Sequence, residues 1–327
     1  MENFRLLKNL DVARYVSLVT DDDEEIYQKF ADDGTVCYGN SWHYHRQAAR
    51  NGWYKYYDGE TLITLTTRGK GKYPYVLVRP MGKLAVEKTY ILAKTLGERT
   101  GEKVIVKKVD EKQKRGFLKI GFEDYRDGDG WHQDYKYDDD TFPETIIDLV
   151  ALVAKTSRQY RNLRRHLNQF ERSHPCKVVR YDPKMHFADA SQLLKRWASE
   201  FVKRHPEETE DSLVESHMPY LHDIPRGERG KDYFAFLFHV DEKPVAFSFA
   251  AKISRTTVGL FANVCDNSFP GLADAIVYRT FEKAHAAGFR FANFGGCESE
   301  TLHRFRSRFK PSMRHKCAHV VLYPGRV

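Results

Sequence analysis

Residues 288–311 read G-F-R-F-A-N-F, then G-G-C-E-S-E, then T-L-H-R-F-R-S-R-F-K-P. The first part, Phe289 to Phe294, is strand-like, the second is a turn, and the third, from Glu300 to Phe309, is a helix closed by Lys310 and Pro311. Asn293, Gly295 and Gly296 let the backbone come close to whatever lies past the strand end, and the helix start gathers unpaired N–H groups. Glu298 and Glu300 stand at this strand-to-helix junction, where chemistry is often sited.

Working outward, the spacing predicts a helix over Phe187–Arg204, a polar loop at 207–212 and a helix through about Leu221. Three strands follow at Tyr233–Val240, Pro244–Ile253 and Thr256–Cys265, then a helix from Gly271 to Ala287 ended by Gly288, and a last strand at Lys316–Leu322. The first half repeats the mixture more loosely. An acidic helix over Asp21–Asp32, an aromatic-rich segment over Cys37–Tyr57 and strands at Thr61–Thr67 and Tyr75–Arg79 precede a helix at Lys83–Thr100 with Gly101 as its stop. V-I-V-K-K-V is a strand, D-E-K-Q-K-R-G a short helix, and F-L-K-I-G-F a further strand or turn. The expected fold class is α/β with mixed sheets.

The 327 residues suit two domains, and 41% hydrophobic with 13% aromatic content supplies cores for both. Five cysteines (Cys37, Cys176, Cys265, Cys297, Cys317) form no C-x-x-C pair, so neither a disulfide framework nor a zinc knuckle is expected and a reducing cytoplasm fits best. The start lacks a signal peptide, and the longest apolar run, Ile146–Ala154, is interrupted by Asp148, so a soluble protein is expected. The net charge is +8, and between Lys155 and Arg172 six cations against Glu171 leave +5. Such a helix, with Arg158, Arg161, Arg164 and Arg165, is either a nucleic-acid contact or a solvated face.

The strand and helix order resembles the GNAT N-acetyltransferase fold over the last hundred residues. More narrowly, A-x-x-x-G-F-R-F-A-N-F-G-G (284–296) and L-x-x-F-x-x-x-F-K-P (302–311) resemble the Fem-type aminoacyl-tRNA-dependent transferases and the C-terminal domain of phosphatidylglycerol lysyltransferases. Y-R-N-L-R-R-H-L-N-Q-F-E-R (160–172) resembles the basic helix joining two such domains in the lysyltransferase-like group. The resemblance implies two tandem GNAT-like domains, 1–150 and 176–327, joined by a basic helix over 151–175. It also implies transfer of an aminoacyl group from aminoacyl-tRNA to an amine or hydroxyl, on a small-molecule or cell-envelope acceptor, without a resident cofactor. An acyl-CoA donor and a non-catalytic nucleic-acid-binding module are the alternatives.

An acyl-CoA enzyme needs a Gly-rich turn at a helix N-terminus to cradle the pyrophosphate. C-D-N-S-F-P-G-L-A-D (265–274) offers one glycine, a proline and two aspartates there, which disfavours CoA. Direct attack by an amine needs a neutral nucleophile, charge stabilisation for the oxyanion and a proton donor to the leaving hydroxyl. The resemblance assigns a functional lysine to the F-K motif, hence Lys310; pairing with the helix C-terminus is the plain alternative. Glu298 and Glu300 are candidate bases; stabilising the helix start is the plain alternative for both and the better fit for Glu300. Asn263, Phe261, Asn293 and Arg306 are assigned to substrate binding, Asn263 as a hydrogen-bond partner of the acyl carbonyl, while Phe261 reads more readily as core. The run Trp42, His43, Tyr44, His45, Arg46 is either a stacking site or a core anchor. His217, His222, His303 and His315 lack metal-binding spacing, so no metal is expected.

Overall fold

The computed structural model describes residues 14–31, 35–48, 53–68, 72–125, 143–206, 208–222, 231–296 and 300–325. Two compact units result, one of 1–144 with 296–303 and 314–327, the other of 145–295 with 304–313. Each is built on a seven-stranded mixed sheet.

In the first unit the elements are β1 (Val16–Leu18), α1 (Glu24–Ala31), α2 (Trp42–Ala48), β2 (Tyr54–Tyr57), β3 (Thr61–Arg68) and β4 (Lys72–Gly82). There follow α3 (Ala85–Thr100), β5 (Val104–Val109), α4 (Glu111–Lys119) and β6 (Glu123–Asp124). β4 and β5 pair in parallel across the α3 crossover, as a βαβ unit requires. Gly101 ends α3 at φ 70°, in the left-handed region that glycine enters without strain. The core beneath α3 joins Leu92, Ala93 and Leu96 to Leu65, Leu77, Val104 and Val106.

The second unit holds β7 (Glu144–Asp148), α5 (Leu149–Ala154), α6 (Arg161–Ser173), β8 (Cys176–Arg180), α7 (Pro183–Val202) and α8 (Glu210–His222). β9 (Tyr233–Val240), β10 (Lys243–Lys252), β11 (Thr257–Cys265), α9 (Leu272–Ala286), β12 (Phe291–Asn293) and α10 (Glu300–Ser307) follow, then β13 (Met313–His315) at the edge of this sheet, and the chain returns to the first unit with β14 (Ala318–Leu322). β8 to β11 form an antiparallel meander, and the α9 crossover makes β12 parallel to β11.

Three features go beyond the sequence reading or depart from it, each with a physical cause. The apolar run Ile146–Ala154 is a strand and a short helix, broken where the Asp148 carboxylate accepts from the N–H groups of Val150 and Ala151. F-L-K belongs to α4, because Asp110 and Gln113 form a capping box that starts the helix early enough to bury Phe117 in its last turns. The expected boundaries 1–150, 151–175 and 176–327 also change. β14 pairs with β5 and so lies in the first sheet, while β7 pairs with β12 in the second. α6, expected as a connector, packs into the second unit through Leu163, Leu167 and Phe170, which share a core with Leu272 and Ile276 of α9.

Candidate active site of the second unit

β11 and β12 pair over three residues, Thr257–Gly259 against Phe291–Asn293. β11 continues to Cys265 paired with β10, so past Gly259 and Asn293 the sheet opens between the two strands. The turn that opens it is set by Asn293, whose Oδ1 accepts from Gly295 N at 2.6 Å, and by Gly295 at φ 78°. α10 is held to the same turn. Arg306 Nη1 donates to Gly295 O at 2.9 Å with its guanidinium 5.7 Å from the Phe294 ring centre, and Phe309 is buried 5.3 Å from Phe294. Asn293 and Arg306, assigned to substrate from the sequence, thus shape the turn.

On β11, Leu260 pairs with Ala250 and Ala262 with Phe249, which leaves Phe261 as the extra residue of a bulge. Its ring lies 6.1 Å from Tyr220 and 6.3 Å from Phe249. Gly259 makes room for this ring, since a Cβ there would sit 2.8 Å from Phe261 and 2.9 Å from Ile253 Cδ1. Phe261 is therefore core. Asn263 stands opposite Ser248, whose hydroxyl bonds Thr280 of α9 at 2.8 Å, so Asn263 is on the α9 face and Phe261 on the other. The two are not brought together. Asn263 Oδ1 is buried with no hydrogen-bond partner among the described residues, an acceptor that a substrate N–H or O–H would satisfy.

Lys310 follows Phe309, which is fully buried, and takes φ 55° just past the α10 end. A left-handed position after a helix is normally glycine's, and a side chain there costs about 1–2 kcal/mol. The Lys310 side chain is exposed and has no ion-pair partner among the described residues, so a bond to a carboxylate does not account for it. Glu298 and Cys297 lie outside the described residues. Glu300 begins α10, consistent with a helix-start position, and its side chain also lies outside the description.

At the α9 N-terminus, Gly271 has φ 87°, and a Cβ on it would come 2.8 Å from the His166 carbonyl oxygen of α6. The Asp274 carboxylate is buried in the first turn, where it accepts from Arg308 Nη1 at 3.3 Å and meets His166 Nδ1 at 3.0 Å. Helix dipole and packing are thus already satisfied by a carboxylate and by α6. A pyrophosphate would meet both.

α6 buries Leu163, Leu167 and Phe170 and leaves Arg161 and Arg165 exposed, as is Arg158 in the 3-10 turn before it. Arg164 differs: its Nη1 donates to the Lys155 and Ser157 carbonyls, closing the preceding loop. Arg161, Arg164, Arg165 and Arg172 line one groove of about 640 Å³. A larger cavity of about 1070 Å³ is lined by Arg180, Lys231, Lys252, Arg255, Arg279 and Lys283, with Asp232 and Glu282 the acids among its lining. Sequence reasoning missed this second basic cavity, since its cations come from segments a hundred residues apart and no local window gathers them.

In the first unit, the aromatic run is core: Trp42 and His45 pack on Tyr27 at 5.2 and 4.8 Å. Burial, reinforced by the Arg46 charge, pushes His43 down to about 3, so it is neutral in the fold.

Two sheets, each crossed by a parallel βαβ unit, with a bulged and splayed strand pair in the second, make a tandem GNAT-like fold. Within it the chain belongs to the phosphatidylglycerol lysyltransferase C-terminal family, whose model matches residues 41–325. A conserved protein of unknown function from Bacteroides thetaiotaomicron superposes with a TM-score of 0.78 at 15% identity, covering 94% of this chain and 99% of that one. L-PGS from Bacillus licheniformis gives a TM-score of 0.60 at 15% identity, with 93% and 92% covered. FemX gives 0.61 at 12%, with 94% and 96% covered. No curated protein matches in sequence. Among the described residues no helix is long and apolar enough to cross a membrane.

Proposed function

We propose that the chain transfers an aminoacyl group from aminoacyl-tRNA to an amine or hydroxyl on a small-molecule or cell-envelope acceptor, acting on the cytoplasmic side. The observation that carries this reading is the α9 N-terminus, where His166, Arg308 and Asp274 occupy the position an acyl-CoA pyrophosphate needs. A tRNA donor needs no such cradle. It needs cationic surface, and the exposed arginines of α6 supply it beside that same helix start.

In the reaction the acceptor nitrogen or oxygen attacks the ester carbonyl carbon, the new C–N or C–O bond forms, and the ester C–O bond breaks. The terminal ribose hydroxyl leaves and takes a proton. Lys310 supplies positive charge to the developing oxyanion or to an anionic acceptor, Asn263 Oδ1 accepts a hydrogen bond from the substrate, and Glu298 serves as base for the attacking group.

Purified protein is incubated with total tRNA charged with labelled amino acids and a membrane-lipid and peptidoglycan-precursor extract. Label should move to the acceptor fraction, and RNase treatment of the charged tRNA should abolish transfer. Label transfer from acetyl-CoA that survives RNase would overturn the proposal, as would nucleic-acid binding without transfer from any charged tRNA.

A further inference from the structure

Four ligand-type side chains from distant parts of the sequence meet inside the first unit: Cys37, Glu144, His315 and Cys317. Cys37 precedes the 3-10 turn Tyr38–Asn40, Glu144 opens β7, His315 ends β13 and Cys317 precedes β14. One ligand atom from each lies within 4.8 Å of all the others. Cys37 and Glu144 have no solvent exposure and Cys317 has 1%.

The separations match a coordination polyhedron. Zn–S of about 2.3 Å and Zn–O of about 2.1 Å at tetrahedral angles place S···S edges near 3.8 Å and S···O edges near 3.6 Å. Cys37 Sγ and Cys317 Sγ are 3.7 Å apart, and Cys317 Sγ is 3.5 Å and Cys37 Sγ 4.0 Å from Glu144 Oε1. A disulfide would need the sulfurs at about 2.05 Å.

A second observation points the same way. His315 Nε2 is buried and has no hydrogen-bond partner among the described residues, although a buried ring nitrogen is ordinarily paired. The carboxylate is already oriented, since Tyr38 N donates to Glu144 Oε2 at 2.8 Å and leaves Oε1 toward the sulfurs. Lys108 Nζ stands 3.2 Å from that Oε1. Two thiolates and a carboxylate around a divalent ion leave one negative charge, which the Lys108 ammonium neutralises.

We propose that Cys37, Glu144, His315 and Cys317 form a closed four-ligand structural zinc site that fastens the C-terminal strand β14 into the first unit. Thiolate, imidazole and carboxylate together suit zinc, and four protein ligands leave no position open for catalysis. The site binds residue 37 to residues 315–317, a closure that the β14–β5 ladder alone makes through five residues of strand.

The test uses full-length protein carrying a tag without histidines, expressed with zinc supplementation. Elemental analysis should find about one zinc per chain after gel filtration. Cobalt exchanged into the site should show a thiolate-to-cobalt charge-transfer band with intense tetrahedral ligand-field bands. The Cys37→Ser/Cys317→Ser double variant should lose zinc by more than about tenfold, and Cys176→Ser should keep it. Should the double variant not fold, the wild-type cobalt spectrum and native thiol labelling decide: Cys37 and Cys317 react with a thiol reagent after chelation and not before. Zinc at background with an octahedral cobalt spectrum overturns the proposal, as does a Cys37–Cys317 disulfide in protein purified without reductant.

Discussion

Replacing Lys310 with glycine separates chemistry from folding. The residue sits at φ 55° with an exposed side chain lacking an ion-pair partner among the described residues, so truncation removes no described ion pair. Glycine relieves about 1–2 kcal/mol of left-handed strain and returns about 0.4–1 kcal/mol as extra entropy of the unfolded chain. The net is a gain of roughly 0.5–1 kcal/mol, or a rise of about 1–4 °C in Tm by scanning fluorimetry. Activity should move the other way. If the ammonium stabilises the oxyanion, its loss costs about 2.7–4 kcal/mol, a fall of about 10²–10³ in kcat for transfer from charged tRNA. Lys310→Ala should lose as much activity without the thermal gain. A Lys310→Gly protein that transfers within about threefold of wild type refutes the catalytic assignment. One whose Tm drops instead shows that the side chain was holding the α10 end.

Other perturbations follow from neighbouring geometry. Arg165→Ala should weaken tRNA binding and reduce the salt slope of log K by about 1 without changing Tm, whereas Arg164→Ala should lower Tm because two carbonyls lose their donor. Gly271→Ala places a Cβ 2.8 Å from the His166 carbonyl at φ 87° and should destabilise by about 1–3 kcal/mol in urea titration. Asp58 should make the first unit acid-sensitive. Burial alone would raise its pKa, but Lys88 at 2.6 Å and the N–H groups of Glu60 and Thr61 bring it from 3.8 to about 2. A carboxyl depressed in the fold stabilises above its unfolded value, so about 1–2 kcal/mol should disappear as pH falls from 4 to 2, and Asp58→Asn should flatten that part of the profile.

Local signals carried most of the elements and little of their assembly. β9, β10 and β11 were legible because apolar runs of eight to ten residues stop at D-E-K and S-R-T turns, and α3 because Gly101 punctuates it. Asp148 was also legible in principle as a cap inside an apolar run. The exchange of β7 and β14 between sheets was not, since a strand's partner leaves no mark in its own residues beyond alternation. At the candidate site, Lys310 stands out through its F-K-P setting and Phe261 already reads more as core than as function, whereas the bulge at Phe261 and the bonds that Asn293 and Arg306 make to Gly295 appear only in the structure. Cys37 and Cys317, 280 residues apart, have no spacing to read.

The two units open their sheets at equivalent places and fill the openings differently. In the first, β4 and β5 part after Val78 and Lys107, and the next residues, Arg79 and Lys108, take φ 42° and 58°. Gly39 fits against Lys108, where a Cβ would lie 3.1 Å from the Lys108 Cβ, and Arg79 donates to Asn40 Oδ1 at 2.7 Å and to the Lys108 carbonyl at 3.2 Å. The 38–40 turn therefore plugs that opening, with the Asn40 amide oxygen paired to Arg79. In the second unit the Asn263 oxygen, on the strand that borders the corresponding opening, is buried with no hydrogen-bond partner among the described residues. Buried polar groups with partners stabilise the fold, and the Asn263 oxygen is an acceptor that a substrate donor would satisfy. Substitutions at Arg79 or Asn40 should accordingly appear as lost stability at unchanged kcat per folded molecule, whereas Asn263→Ala should change KM or kcat at nearly unchanged Tm.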